Sequence, residues 1–277
     1  SFVEAFSILR CAHGNGVQYI DTAMNYGESQ NIIGQFIKQQ QDHRQFKCIT
    51  KLPSSDFFYG NAGVYKKVSK LIGVLGVSKL FALLMHDGEA LSHWGRTVKQ
   101  KIVHNLKEQQ LIEHFGVSIY SASEFDAALE IDDIDVIQIP FNLFDQRALR
   151  FRWFERAREK NKTIMVRSVY LQGLLLMSPP DAKRILLQAY PYIAHLDMEC
   201  KKRRVSSKFL ALKFIVDHCG DSLLIMGVES RIQLQDNLEM MADFLSDSSD
   251  YSMLYSQFLN VDPNVYLPTM WKPCSIT

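Results

Sequence analysis

No stretch of the 277-residue chain approaches the ~20 consecutive apolar residues that a membrane span needs. Cysteine is scarce as well. The five present (Cys11, Cys48, Cys200, Cys219, Cys274) are odd in number and form no Cys-x-x-Cys pair, so neither a disulfide framework nor a zinc ribbon is supported. Cys48 sits in an apolar run and reads as a small buried hydrophobe, and a reducing cytoplasm is the expected compartment. Charge of one sign is also missing: 31 Lys and Arg meet 30 Asp and Glu, which gives no global pull toward nucleic acid or an anionic membrane. The run Lys201–Arg204 is the one dense basic patch, and it reads as a solvated helix face ahead of Phe209, Leu210, Leu212 and Phe214. No Gly-x-Gly-x-x-Gly fingerprint occurs, because Gly14-Asn15-Gly16 is followed by Tyr19 at the required third position. His-x-His is absent too, and acids at strand ends are too few for a two-carboxylate glycosidase or a metal hydrolase.

What is present is ample core material and a regular alternation. Hydrophobic residues make up 47% of the chain and charged residues 22%, which excludes disorder. Strand-like runs are expected at 18–22, 48–52, 81–86, 114–118, 136–140, 163–167 and 223–227. Helical spacing is expected between them, for example over 29–36, 98–109, 124–129 and 149–160. Strands separated by helices imply βαβ units and a parallel sheet. No low-complexity segment, tandem repeat or Gly/Ser linker interrupts the pattern, so one domain over residues 1–277 is expected.

The strand endings choose between a barrel and an open sheet. "YID" stops at Asp21, "CITK" at Lys51, "FALLMH" at His86, "HFGVS" at Ser118, "VIQIPFN" at Asn142, and "IMVRS" at Arg167 and Ser168. A polar side chain delivered at the C-terminal end of strand after strand is how a (β/α)8 TIM barrel assembles a site at one mouth. Seven strands are countable, and residues 2–13 already read as an outer helix that should follow a strand. The expectation is therefore a barrel whose first strand belongs to an N-terminal segment that this sequence lacks.

Asp21, Tyr26, Lys51 and His86 form a chemically coherent set. A phenol titrates at about 10, too high for an efficient proton donor near neutrality, and an adjacent ammonium favours the phenolate. Lowering that value by about three units takes roughly 4 kcal/mol of differential interaction, within reach of a partly desolvated pocket. A histidine nearby can polarise a substrate oxygen, and an acid paired with the lysine holds its charge in place. The set makes a general acid beside a carbonyl oxygen. The missing electron source implies a bound hydride donor.

Here the residues reach a resemblance. "GVQYIDTAMNYGESQNIIG" (16–34) resembles the aldo-keto reductase signature Asp-Thr-Ala-x-x-Tyr-Gly-x-Ser with its following Ile/Leu-Gly helix. "ITKLP", "LLMHDGEAL", "FGVSIYSASEF", "VIQIPFNLFDQR", "RSVYLQGLL" and "IMGVESRIQLQDNL" are similar, in the correct order, to that family's third to eighth strand segments. The resemblance implies that Tyr26 is the proton donor, that Lys51 and Asp21 support it, and that His86 orients the carbonyl. It implies NADPH as cofactor, with NADH open. Ser118 and Gln138 would hydrogen-bond the nicotinamide carboxamide. Arg167 falls where many members stack a tyrosine on the ring, with Ser168 beside it. Gly227, Glu229, Ser230, Gln233 and Asn237 would complete the cofactor set. Ser230 with Gln233 three residues on is also a capping-box pattern, and a helix N-terminus is an anion site. Arg231 is the only cation near it, and Glu229 would repel a 2′-phosphate if it pointed inward. Ile119 stands where an asparagine is common.

The implied activity is reduction of an aldehyde or ketone to an alcohol. The segments 139–147 and 167–177 look most like bacterial members associated with surface-sugar biosynthesis, which makes a keto-sugar or sugar-derived aldehyde the substrate suggested. A small carbonyl compound is the only partner implied, with no nucleic acid and no membrane. A nicotinamide-binding regulatory subunit on the same fold is the alternative. The apolar segment 171–196 reads as core rather than lid, and Tyr266 and Trp271 of the tail are candidates for substrate contact.

Overall fold

The structure, a computed structural model, describes residues 1–40, 46–58, 61–88, 91, 94, 98–244, 247 and 249–271. Seven strands follow one another across the sheet in chain order: β1 (Tyr19–Asp21), β2 (Lys47–Leu52), β3 (Leu80–Met85), β4 (Ile112–Ser118), β5 (Val136–Pro140), β6 (Thr163–Arg167) and β7 (Leu223–Leu224). β1 to β5 pair in parallel, with Asp21 opposite Ile49, Lys51 opposite Leu84, and Ser118 opposite Gln138. Parallel strands covered on both faces are buried and largely apolar. β5 accordingly buries all five residues, and β2 all but its first.

Helices alternate with these strands. They are α1 (Phe2–Gly14), α2 (Ser29–Gln39), α3 (Asn61–Leu75), α4 (Val98–Glu108), α5 (Ala122–Leu129), α6 (Arg147–Arg150), α7 (Trp153–Glu159), α8 (Pro179–Ile185), α9 (Tyr190–Arg203), α10 (Ser207–His218), α11 (Arg231–Asp243), α12 (Ser252–Tyr255) and α13 (Pro263–Tyr266). Ser1 caps α1 by accepting the Glu4 N–H, and Ser121 with Glu124 forms a full capping box on α5. No helix among the described residues is long and apolar enough to cross a membrane.

Contacts divide the chain into two compact units. One comprises residues 1–139, 155–165 and 228–236, the other 140–154, 166–227 and 237–277. The first holds β1 to β4 and most of β5. In the second, the Phe141 N–H donates to Arg167 O and the Ile225 N–H to Val166 O.

Two expectations need correction. The helix expected over 149–160 is broken, because Arg152 takes a left-handed backbone (φ 55°) that ends α6 before α7 begins. The strand expected over 223–227 is cut to Leu223–Leu224, and the chain leaves the ladder after Ile225. The apolar segment is core at Leu171, Leu174 and Leu175, all fully buried, whereas Leu176 is exposed. Cys48 is buried, and burial pushes its thiol up to about 12.

Gly34 fixes the approach of α2 to α3, since a Cβ there would lie 1.8 Å from Val74 O. Gly34→Ala should therefore destabilise the fold by about 1–3 kcal/mol, the range for overpacking a filled interface. Gly63→Ala, in α3 with open space around it, should instead stabilise by about 0.5–1 kcal/mol. Urea unfolding midpoints of the two variants check both signs.

Candidate active site

The site grows from the turn after β1. Thr22 keeps the chain against β2 by donating its N–H to Ile49 O, while its hydroxyl meets Ser29 Oγ at 2.9 Å across the loop. The Tyr26 N–H reaches Ala23 O, the Ser29 N–H reaches Tyr26 O, and Gly27 supplies the positive φ (53°) that the tight turn requires. The signature's threonine, glycine and serine thus form a stapled loop. They present Tyr26 at its tip, 47% exposed, while Thr22 is fully buried.

Below it lies an ion pair. Lys51 stands two residues beyond the partner of Asp21 on β2, which brings Nζ to 2.5 Å from Asp21 Oδ2 and 3.2 Å from Thr22 O. The side chains of Lys51 and Asp21 are only 2% and 8% exposed. The ammonium is 5.3 Å from the centre of the Tyr26 ring. His86 follows β3, its N–H bound to Leu52 O, and its ring stands edge-on to Tyr26 with centroids 6.1 Å apart. Gln138 on β5 completes the group, donating from Nε2 to Asp21 Oδ1 at 3.3 Å. Ser118, on neighbouring β4, is buried beside it in register. Asp21, Tyr26, Lys51, His86, Ser118 and Gln138, expected from sequence, all lie in the first unit.

The start of α11 belongs to the same unit. Ser230 Oγ accepts the Gln233 N–H, but Gln233 Oε1 returns to the Glu229 N–H rather than to that of Ser230 itself. The Arg231 N–H is taken by Glu4 Oε1 at 2.6 Å, so a carboxylate of this chain already sits at that helix terminus. Glu4 had no local sequence signal, since its partner lies 227 residues away.

In the second unit, Arg167 Nη1 donates to Ser168 Oγ. Ser168 takes φ 64°, and its carbonyl accepts from Asn142 Nδ2 at 3.1 Å. Asn237 is buried and accepts the Tyr170 hydroxyl at 2.8 Å, and burial holds that phenol above its ordinary range. Gly227 is exposed with open space around it. Of the tail candidates, Tyr266 lies under the Arg147 guanidinium (5.1 Å), and the Trp271 indole donates to Val265 O. Ile119 is fully buried. Glu89 and Ala90 of the histidine segment, together with Lys272 and Cys274, lie outside the described residues.

Parallel strands in chain order, with a polar cluster drawn from β1 to β5 toward their C-terminal ends, define the active-site architecture of a (β/α)8-type enzyme. The chain belongs to the aldo/keto reductase family, whose model matches residues 1–256. It is similar to the aldo-keto reductase str7 of Strobilurus tenacellus, 23% identical over 257 residues that cover 85% of this chain and 75% of that protein. Among solved structures, it resembles the holo form of aldo-keto reductase AKR11C1 from Bacillus halodurans (TM-score 0.75, 18% identity, 98% of this chain and 91% of that one). It also resembles an aldo/keto reductase from Klebsiella pneumoniae solved with NADP and acetate (TM-score 0.70, 17% identity, 98% and 88% covered). The fold is the family's (β/α)8 fold, and seven strands of it are among the described residues.

A buried ion pair costs most when one partner is removed. Lys51→Met should lower the unfolding free energy by about 3–5 kcal/mol, while the double variant Lys51→Met with Asp21→Leu should lose clearly less. Chemical denaturation of both variants checks this.

Proposed function

We propose that the chain is a nicotinamide-dependent carbonyl reductase in which Tyr26 donates the proton. The observation that carries this reading is the Lys51 ammonium, pinned by Asp21 and lying 5.3 Å from the ring of a phenol that solvent can reach. A substrate carbonyl entering between Tyr26 and His86 meets an O–H donor on one side and an imidazole on the other. As charge builds on the carbonyl oxygen, the phenol hands over its proton, and the nearby cation stabilises the phenolate left behind. His86 orients the oxygen by hydrogen bonding.

The residues fit a nicotinamide at one end. Gln138 Oε1 is a buried acceptor with no partner, which suits the N–H of a carboxamide, and Ser118 stands next to it. When bound, the dinucleotide supplies the hydride that the carbonyl carbon receives. Arg167, Ser168, Gly227, Glu229, Ser230, Gln233 and Asn237 are the further residues to which the family resemblance gives cofactor contacts. Among them, the α11 terminus already holds the Glu4 carboxylate. NADPH is the cofactor read from the family, and the Klebsiella relative solved with NADP supports it. The substrate class proposed is a keto-sugar or sugar-derived aldehyde, and the compartment proposed is a reducing cytoplasm.

Tyr26→Phe removes the proton donor without touching Gln138 or Ser118. It should cut kcat by about 10²–10⁴-fold, the range for general-acid catalysis, and leave the Kd for NADPH unchanged. Following cofactor oxidation over an aldehyde and keto-sugar panel, with tryptophan quenching for binding, reads both quantities. Glu4→Gln removes a negative charge from the α11 terminus. It should raise affinity for NADPH roughly 5–30-fold, equivalent to about 1–2 kcal/mol of charge repulsion, and leave NADH unchanged. Equal gains for both cofactors would place the 2′-phosphate elsewhere.

A further inference from the structure

We propose that Gln138 is a positioning residue that fixes the Asp21 carboxylate, and through it the Lys51 ammonium, beneath Tyr26. Its catalytic consequence rests on the reductase reading above. The two oxygens of Asp21 are held by different groups, Oδ2 by Lys51 Nζ at 2.5 Å and Oδ1 by Gln138 Nε2 at 3.3 Å. An ionised carboxylate only accepts hydrogen bonds, so the amide must turn its nitrogen toward Asp21 and its oxygen away. That leaves Oε1 buried without a partner, on a side chain with no exposure at all.

A buried acceptor left unmet costs stability, and an apolar side chain of the same length would avoid the cost. Packing alone therefore gives no reason for an amide here; its Oε1 suits the cofactor contact proposed above, and its Nε2 is committed to Asp21. The backbone leaves the side chain little freedom. β5 is buried along its whole length, and Gln138 O accepts the N–H of Ile119, the residue just past β4, at 2.9 Å. The bond joins β5 to β1, 117 residues apart in sequence and separated by three strands in the sheet order. One held oxygen would let the carboxylate turn about its own bond. Two held oxygens fix its plane, and with it the place of the cation under the phenol.

The test uses the full chain and Gln138→Met, a swap of similar volume without the polar head. Three quantities are measured: the unfolding midpoint, the Kd for NADPH by tryptophan quenching, and kcat on an aldehyde the wild type reduces. Positioning predicts a midpoint close to wild type, because the lost bond and the removed orphan offset each other. It also predicts a kcat loss of about tenfold or more beyond any rise in Kd, the general range for a misplaced catalytic group. A kcat that falls no further than binding does would make Gln138 a cofactor contact alone and overturn the proposal. A kcat loss matched by a collapse of the midpoint would make it structural and overturn it equally. If the wild type reduces no carbonyl compound, the reductase reading fails, and the hold on Asp21 is judged without turnover. Unfolding midpoints of Gln138→Met, Asp21→Leu and the double variant should then be non-additive, and additive shifts would overturn the proposal.

Discussion

A buried cation and a buried anion 2.5 Å apart are the constraint on which the rest of this site depends. Replacing a buried ion pair by packed apolar residues is in general often neutral for stability, so the pair is poor evidence of stabilisation and better evidence of a task. Its position explains the task. The ammonium lies under a solvent-reachable phenol, the carboxylate is gripped from a distant strand, and a histidine faces the same ring.

The fold supplies this arrangement through one rule applied several times. Each parallel strand is largely apolar where both faces are covered, and its polar side chains gather toward the end where its ladder stops. Lys51, Ser118 and Gln138 are all buried on β2, β4 and β5, while Tyr26 rides on a stapled turn that gives it access. Rigid strands hold the charges and a loop presents the proposed proton donor. Burial pushes the Cys48 thiol up to about 12 and that of Cys200 to about 11, far from the thiolate range.

What was legible in the sequence is what short-range physics writes there. β5 and β6 fall within the expected bounds because unbroken apolar runs leave no other period to read. The four candidate catalytic residues were legible because each ends or follows such a run. Long-range partners were not. The Glu4 carboxylate on the Arg231 N–H and the amide of Gln138 on Asp21 join positions 227 and 117 residues apart, and no local pattern marks either. Backbone handedness was equally hidden: Arg152 enters the left-handed region inside a stretch with good helical spacing. The family resemblance supplied roles that spacing alone could not, including those of Ser118 and Gln138.

The most direct test of the account is the fate of one hydrogen. The full chain is given NADPH carrying deuterium at nicotinamide C4, together with a carbonyl substrate, and the alcohol product is examined by mass spectrometry. The account predicts an alcohol one mass unit heavier, with the label on the former carbonyl carbon. A folded chain that binds the cofactor and forms no labelled alcohol from any aldehyde or keto-sugar would contradict it.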